Sequence, residues 1–239
     1  MPNARLAEMI GEFATDRKGR KLSKNRLLRR AQIMQATLDL IAARGYDTVT
    51  MDELAAASQV TKKTLYDIYG SKQAVVAQAV ALRLDGLAES LEQDLSGDGL
   101  ARLLAMVDKT CDAVLETPEL SRALATRLVR SADEFHLTRF FDRLHRAAIE
   151  QMKTERQIQP WANVDFTVRS MMFDQIAVQS MWAGGNVGDD QYPGFARLSA
   201  LRIITPLARA SLRKHIVEQI RTMQQELTFA PSLYPAAQY

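Results

Sequence analysis

The sequence predicts an all-α protein of two domains, and three observations support this fold class. Apolar residues in its periodic segments recur at intervals of three and four, the spacing of a helix with one buried face. No six-residue stretch alternates apolar and polar side chains with β-branched enrichment, so we expect no sheet. The 239-residue chain also exceeds the usual length of one domain. We therefore expect a small N-terminal helical domain followed by a larger helical domain.

The composition is that of a globular protein and excludes several other classes. Apolar residues make up 47% of the chain and charged residues 25%, and no run of 18 apolar residues could cross a bilayer. The N-terminus carries scattered charges and lacks the apolar segment of a secretory signal. A single cysteine, Cys111, permits no internal disulfide. We expect a cytoplasmic protein that does not span a membrane.

Residues 1–24 are predicted to form a basic, flexible arm, because they show no sustained apolar period. Residues 1–72 hold 13 Lys and Arg against 8 Asp and Glu, whereas the other 167 residues hold 18 against 20. Eight basic residues and no acidic residue lie between Arg17 and Arg30. This charge pattern is typical of a segment that lies against phosphates, although a solvated tail would show it as well.

The first two helices are predicted from their periodicity and their capping residues. Apolar residues recur at three and four over residues 25–44, and Gly45 can end this first helix. Thr50 and Glu53 match a capping box, in which the hydroxyl accepts from the Glu53 amide and the carboxylate accepts from the Thr50 amide. A short second helix is therefore expected from Thr50 to about Ala57.

A third helix is predicted after a break at Ser58-Gln59-Val60, with Thr61 as its cap. Its inward residues are Val60, Leu65, Ile68 and Tyr69, and its outward residues are Thr61, Lys62, Lys63, Thr64 and Tyr66. Two short helices joined by a tight turn form a helix-turn-helix, whose second helix enters the DNA major groove by its N-terminal half. Residues 25–72 are therefore predicted to form a DNA-binding domain.

A long fourth helix is predicted over residues 71–95, with Ser71 as its cap and Lys72 in its first turn. A lysine there opposes the helix dipole, so a bound phosphate would explain its placement. Further helices are predicted over residues 100–116, 118–132, 134–157, 164–182 and 195–227, the last interrupted near Thr205 by Pro206. Residues 184–194 form a predicted loop. The tail, residues 229–239, is expected to be irregular.

Residues 33–75 resemble the DNA-binding domain of the tetracycline-repressor (TetR) family. The resemblance lies in ATLDLIAARGYDTVTMDELA, in VTKKTLYDIY and in the Tyr69-x-Ser71-Lys72 junction. Three positions depart from the family pattern: Gln59 replaces the usual turn glycine, Tyr69 the usual Phe, and Val75 the usual Leu. A left-handed turn at Gln59 would cost about 1 kcal/mol relative to glycine.

The resemblance implies which side chains contact DNA. Tyr66 would donate its hydroxyl to a phosphate, and Lys72 with the amides near Ser71 would hold another. Bases would be contacted by Lys62, Lys63 and Thr64. The basic run from Arg17 to Arg30 lies outside the resemblance, and its charge alone predicts further phosphate contacts. The predicted DNA-binding residues are Thr50, Thr61, Lys62, Lys63, Thr64, Tyr66, Ser71, Lys72, Arg26, Arg29 and Arg30.

The resemblance also implies that residues 73–228 form a ligand-binding and dimerisation domain, with the dimer formed by the last two long helices. A dimer is expected on geometry as well, because two recognition helices roughly 34 Å apart read a palindrome. Methionine and aromatic side chains suit an adaptable pocket for a small apolar or aromatic ligand, although such residues are more often plain core. The candidate pocket residues are Met106, Phe141, Met172, Phe173, Gln175, Gln179 and Trp182.

The resulting functional prediction is a homodimeric repressor of palindromic double-stranded operator DNA that a small molecule releases. The sequence contains no catalytic, P-loop or zinc motif, and its three histidines lack partners at metal-ligand spacing. We therefore expect no enzyme activity, cofactor or metal. Two alternatives remain: a DNA-binding regulator without a small-molecule ligand, and a helical adaptor or enzyme that uses the small domain for protein contacts.

Overall fold

The computed structural model describes residues 20–92, 96–130 and 136–228, and these residues form ten α-helices and no strand. The helices are α1 (Lys24–Arg44), α2 (Met51–Ala57), α3 (Lys62–Tyr69), α4 (Lys72–Glu92), α5 (Gly99–Leu115), α6 (Pro118–Arg130), α7 (Leu137–Thr154), α8 (Val164–Ala183), α9 (Tyr192–Ile204) and α10 (Ala210–Glu226). The prediction of an all-α fold is confirmed. None of the described helices is both long and apolar enough to cross a membrane.

The helices group into two compact units. The first contains residues 20–87 together with His136, and the second contains residues 88–92, 96–130 and 137–228. This division falls within α4, whereas the sequence places a domain boundary after Lys72. The first sixteen residues of α4 therefore pack with the N-terminal helices.

One face of α1 forms the core of the first unit with the two short helices that follow. Ile33 and Ile41 of α1, Leu54 of α2 and Leu65 of α3 are all fully buried. The α1 helix ends as its sequence predicts, because Gly45 adopts a φ of 79° and its amide bonds to the Ile41 carbonyl at 2.8 Å. The chain then turns towards α2.

The turn between α2 and α3 passes through the left-handed conformation expected there. Gln59 has a φ of 54°, a backbone region that glycine adopts more easily than other residues. The amide of Val60 bonds to the Ala55 carbonyl at 3.0 Å, which closes the turn. Gln59 therefore adopts a left-handed conformation without being a glycine, and the backbone strain of the turn lies at this residue.

The core of the second unit is formed by α5, α7, α8, α9 and one side of α10. Trp182, Leu103 and Met152 are fully buried in it. A Cβ on Gly99 would lie 2.4 Å from Cγ and 2.6 Å from the amide nitrogen of Met152. The missing side chain therefore allows α5 to begin in direct contact with α7.

Two helix ends differ from the prediction for identifiable reasons. The α9 helix begins at Tyr192, inside the predicted loop, because this side chain is buried and its ring lies 5.3 Å from the Trp182 ring. The α7 helix ends at Thr154, before the predicted residue 157, and Arg156 beyond it adopts a φ of 59°.

The interruption near Pro206 is confirmed, since α9 ends at Ile204 and α10 begins at Ala210. Most of the predicted arm, the last predicted turn of the fourth helix and the irregular tail lie outside the described residues.

Candidate nucleic-acid interface

The predicted capping box at the start of α2 is present. The Thr50 hydroxyl accepts from the Glu53 amide at 3.3 Å, and the Glu53 carboxylate accepts from the Thr50 amide at 2.8 Å. The hydrogen bonds from Thr50 lower the pKa of Glu53, with a further contribution from Arg44. Thr50 is exposed, and its hydroxyl is used to fix the first turn of α2.

Thr61 caps α3 in the same way, and the first residue of α3 is held by α2. The Thr61 hydroxyl accepts from the Thr64 amide at 3.1 Å and lies 2.8 Å from the Thr64 hydroxyl. The Lys62 ammonium donates to Asp52 at 2.8 Å, which raises the pKa of Lys62. A base contact by Lys62 would require this exposed ion pair to open.

The remaining exposed face of α3 carries Lys63, Tyr66 and Asp67. The Tyr66 side chain is 44% exposed, whereas Leu65 and Tyr69 are buried against the rest of the unit. Predicted inward residues Val60 and Ile68 and predicted outward residue Thr64 are half-buried. The exposed cation and hydroxyl therefore lie at Lys63 and Tyr66, as a groove-binding helix requires.

The basic start of α1 lies beside the helix-turn-helix. Arg26 and Arg29 are exposed and Arg30 is half-buried. Arg29 lines an open groove of about 610 Å³, whose other walls include Asn25 and Gln32 on α1 and the turn residues Ser58 and Gln59. The structure thus brings Arg29 next to the turn that precedes the recognition helix.

Ser71 caps α4 as predicted, but Lys72 points to a different partner from the one its sequence context suggests. The Ser71 hydroxyl accepts from the Ala74 amide at 3.1 Å. The Lys72 ammonium donates to the carbonyls of Tyr46 and Val49 at 2.8 and 2.6 Å. A bound phosphate is therefore not needed to explain a lysine in this first turn.

Two of the seven predicted pocket residues line a common cavity. Phe141 on α7 and Met172 on α8 face a space of about 300 Å³. Arg146 also lines this cavity, and it donates to Asp142 through Nε at 3.0 Å and to Asp165 at 2.7 Å. The cavity is therefore lined by both apolar and charged side chains.

The other predicted pocket residues occupy different environments. Phe173 is 58% exposed and so does not face the interior of its helical unit, which corrects its assignment. Gln175 is buried and donates to the Ala196 carbonyl at 3.0 Å, and the Trp182 indole donates to Asp189 at 2.7 Å. Met106 is fully buried in α5, and Gln179 is half-buried. A role in ligand binding stays a prediction for these four.

Three residues that shape the interface were missed in the sequence. Asp52 holds Lys62, and Tyr46 meets the Lys72 ammonium with both its carbonyl and its ring. Asp67 adds a carboxylate to the exposed face of α3. The helical spacing of Asp67 from Lys63 could have identified it, whereas the partners of Lys72 are backbone atoms more than twenty residues away.

The single thiol and the histidines offer no metal site in the described part of the chain. Burial raises the pKa of the Cys111 thiol to about 12 and lowers the pKa of His145 to about 4. Within residues 20–92, 96–130 and 136–228, no three His, Cys, Asp or Glu side chains are grouped for metal binding.

Comparison with known proteins places the helix-turn-helix in a family. Residues 33–79 match the family model described as bacterial regulatory proteins, tetR family. The HTH-type transcriptional regulator AlkX of Mycobacterium tuberculosis (strain ATCC 25618 / H37Rv) is 32% identical over 75 residues, which cover 31% of this chain and 35% of AlkX. The HTH-type transcriptional activator FasR of Mycolicibacterium smegmatis is 30% identical over 116 residues, which cover 46% of this chain and 52% of FasR. The chain therefore matches about half or less of the length of these relatives.

Solved structures share the fold over most of the chain. CprB, a TetR family protein from S. coelicolor A3(2), superposes with a TM-score of 0.57 at 20% identity, covering 83% of this chain and 98% of CprB. FadR from Bacillus subtilis, solved in complex with stearoyl-CoA, gives a TM-score of 0.58 at 18% identity and covers 79% and 98%. Residues 33–79 therefore carry a helix-turn-helix DNA-binding domain that matches the tetR family of bacterial regulatory proteins.

Proposed function

We propose that the chain is a homodimeric transcriptional repressor that binds palindromic operator DNA and is released by a small molecule. The observation that carries this proposal is the exposed basic surface formed by the start of α1 and the N-terminal half of α3. In this surface Arg26, Arg29 and Lys63 are exposed together with Tyr66. Such a surface presents cations to phosphates and a helix end to the major groove.

The proposed contacts divide into positioning and base-reading roles. Tyr66 donates to a phosphate, and Arg26, Arg29 and Arg30 neutralise phosphates beside the recognition site. The helix starts at Thr50, Thr61 and Ser71 direct backbone amides towards the DNA backbone. Lys63 and Thr64 contact base edges, and Lys62 joins them when its ion pair with Asp52 opens.

Dimerisation is supported by an exposed aromatic face on α8. Phe166 and Phe173 are 74% and 58% exposed, and their seven-residue spacing places both rings on one side of the helix, two turns apart. Large exposed apolar side chains in a row mark an interaction surface. We assign this face to a second copy of the chain, because a palindromic operator needs two recognition helices.

The α10 helix supports the proposed dimer less than the family resemblance implies. Ile216 of α10 is buried, and Leu212, Ile220 and Met223 pack against the same core. The apolar side of α10 is therefore largely used within its own unit, and we propose α8 as the main dimer helix.

The cavity between α7 and α8 is the proposed ligand site. Its volume of about 300 Å³ lies at the lower end of the range for small-molecule pockets. Phe141, Val168 and Met172 would contact an apolar or aromatic body, and Arg146 or Arg169 would contact a polar group. The ligand releases DNA only if it binds more tightly to a conformation whose recognition helices no longer match successive grooves.

Native mass spectrometry of the purified protein tests the ligand site. A co-purified small molecule in the wild type that is lost in Met172→Trp, which fills the cavity, would support the site. Two results together would favour a regulator without a ligand. The wild-type protein would show the mass of the polypeptide alone, and neither stearoyl-CoA nor small aromatic acids would change its binding to the operator.

Selection of bound fragments from a random DNA library tests the operator assignment. The wild type should enrich a palindrome whose half-sites lie about one helical turn apart. Lys63→Ala should change the preferred base in each half-site, at a cost of about 1–3 kcal/mol for the original base. An unchanged base preference in Lys63→Ala would show that Lys63 does not contact bases. Lys109→Ala on α5 is the matched control and should leave the preference unchanged.

A further inference from the structure

One exposed side chain of the recognition helix is acidic. Asp67 lies on α3 and is exposed, as are Lys63 and Tyr66. A helix turns by about 100° per residue, so Asp67 and Lys63, each two residues from buried Leu65, lie on the opposite side of α3 from that residue. These two side chains therefore form the middle of the exposed face of α3, one helical turn apart.

The Asp67 carboxylate makes no hydrogen bond or ion pair with any residue that the structure describes, in contrast to its neighbours in the helix-turn-helix. Asp52 accepts from the Lys62 ammonium at 2.8 Å. Glu53 accepts from the Thr50 amide at 2.8 Å. The Asp67 carboxylate is therefore available to a donor outside the chain.

Neither helix stability nor general attraction to DNA explains an acidic residue at this position. Asp67 lies in the last turn of α3, which ends at Tyr69, and the negative end of the helix dipole disfavours a carboxylate there. A face that binds DNA also lies in the negative potential of the phosphates, which repels the same charge. The position is therefore unfavourable in both respects unless a donor on the DNA compensates the carboxylate.

The major groove offers such a donor on cytosine in particular. The N4 amino group of cytosine donates there without an acceptor beside it on the same base, and carboxylates pair with it. Guanine presents only acceptors, thymine presents the O4 acceptor, and the amino group of adenine lies next to the N7 acceptor. Each of these three bases would place a negative atom against the Asp67 carboxylate.

We propose that Asp67 is a specificity-determining residue, which accepts a hydrogen bond from a cytosine amino group in each half-site of the operator. Because the proposed function places α3 in the major groove, this role of Asp67 rests on that function. Four residues separate Asp67 from Lys63, which is about 6 Å along the helix axis. Base pairs follow each other at about 3.4 Å, so the cytosine lies within about two base pairs of the base that Lys63 contacts.

Selection of bound fragments from a random DNA library with the full-length protein tests the base assignment. The wild type should enrich a cytosine at one position of each half-site, and Asp67→Ala should lose the preference at that position. Asp67→Asn should shift it towards adenine, because a side-chain amide pairs with both N6 and N7 of adenine. Asp112→Ala removes an exposed carboxylate from α5 and, as the matched control, should retain the cytosine. The same base preferences in Asp67→Ala and the wild type would overturn the inference.

Affinities for two duplexes separate base recognition from a structural role of Asp67. The wild type should bind the selected palindrome about tenfold more tightly than a duplex in which thymine replaces that cytosine in both half-sites. Asp67→Ala should bind both duplexes with similar affinity, and it should bind the thymine duplex more tightly than the wild type does, because the repulsion by the carboxylate is removed.

Two other results would each contradict part of this account. An Asp67→Ala variant that loses affinity by the same factor on both duplexes would show that Asp67 only supports the fold of α3, and the inference would fail while the proposed function stands. A wild type that enriches no sequence from the library would overturn the proposed function itself, and with it the role of Asp67.

Discussion

Tyr66 and Tyr69 lie three residues apart on α3 and occupy opposite environments. Tyr66 is 44% exposed and Tyr69 is 4% exposed. Among the described residues, the Tyr69 hydroxyl is buried without a hydrogen-bond partner, and burial raises its pKa to about 12. One hydroxyl is thus available to DNA, and the other carries a desolvation penalty.

Tyr69→Phe should therefore stabilise the protein by about 1 kcal/mol, because it removes a buried hydroxyl that gains no hydrogen bond. Urea unfolding at neutral pH measures this change. Tyr66→Phe is the matched control: it should leave the free energy of unfolding unchanged and weaken operator binding several-fold. A loss of stability in Tyr69→Phe would show that its hydroxyl has a partner.

The sequence predicts single residues well where their partners are close along the chain. The Thr50–Glu53 capping box and the Thr61 cap join residues three positions apart and follow from helix chemistry alone. The Lys62–Asp52 pair spans ten residues and the Lys72 contacts span 23 and 26. These longer contacts depend on how the helices pack against one another, and helix packing could not be predicted from the spacing of residues in the sequence.

At the scale of elements, α3 begins directly after its predicted cap, Thr61, and it ends at Tyr69, where Gly70 follows. The start of α9 was placed three residues too late, since burial of Tyr192 extends the helix into a glycine-rich and acidic segment. Local signals therefore determine the end of α1 and both ends of α3, whereas core packing determines the start of α9.

The α7 helix contains a buried histidine that should make stability depend on pH. His145 is fully enclosed, stacks on Phe141 with a centroid distance of 5.4 Å and has its pKa lowered by burial to about 4. In the unfolded chain His145 binds a proton at its ordinary pKa of about 6.5. A fall in pH therefore favours the unfolded state over the folded state. The stability of the folded state that depends on neutral His145 is fully present above about pH 6.5, and it is lost as the pH decreases towards 4.

Thermal unfolding between about pH 7 and 4 measures this effect, which linkage puts at about 3 kcal/mol over the window. His145→Phe retains an aromatic ring and should remove most of this pH dependence. His215→Phe, on the exposed side of α10, should leave it unchanged. The same pH dependence in His145→Phe and the wild type would show that His145 is protonated without disrupting the core.

At the scale of the molecule, the proposed dimer depends on the exposed face of α8. Phe173→Asp should convert the protein to a monomer, because a carboxylate would be buried in the interface, and should weaken operator binding strongly. Sedimentation equilibrium measures the oligomeric state. Ala101→Asp, an exposed position on α5, should leave it unchanged. A dimer that persists in both Phe166→Asp and Phe173→Asp would place the interface elsewhere.

The central claim is that the basic surface of α1 and α3 binds double-stranded DNA as a dimer, and a mobility shift with the DNA flanking the protein's own gene tests it most directly. The assay should show one complex, with two chains bound to each site. If the three arginines of each chain each neutralise one phosphate, the affinity should fall about a thousandfold between about 50 and 200 mM salt. The absence of any shift at the lower salt concentration would contradict the claim and would favour an adaptor that uses this domain for protein contacts.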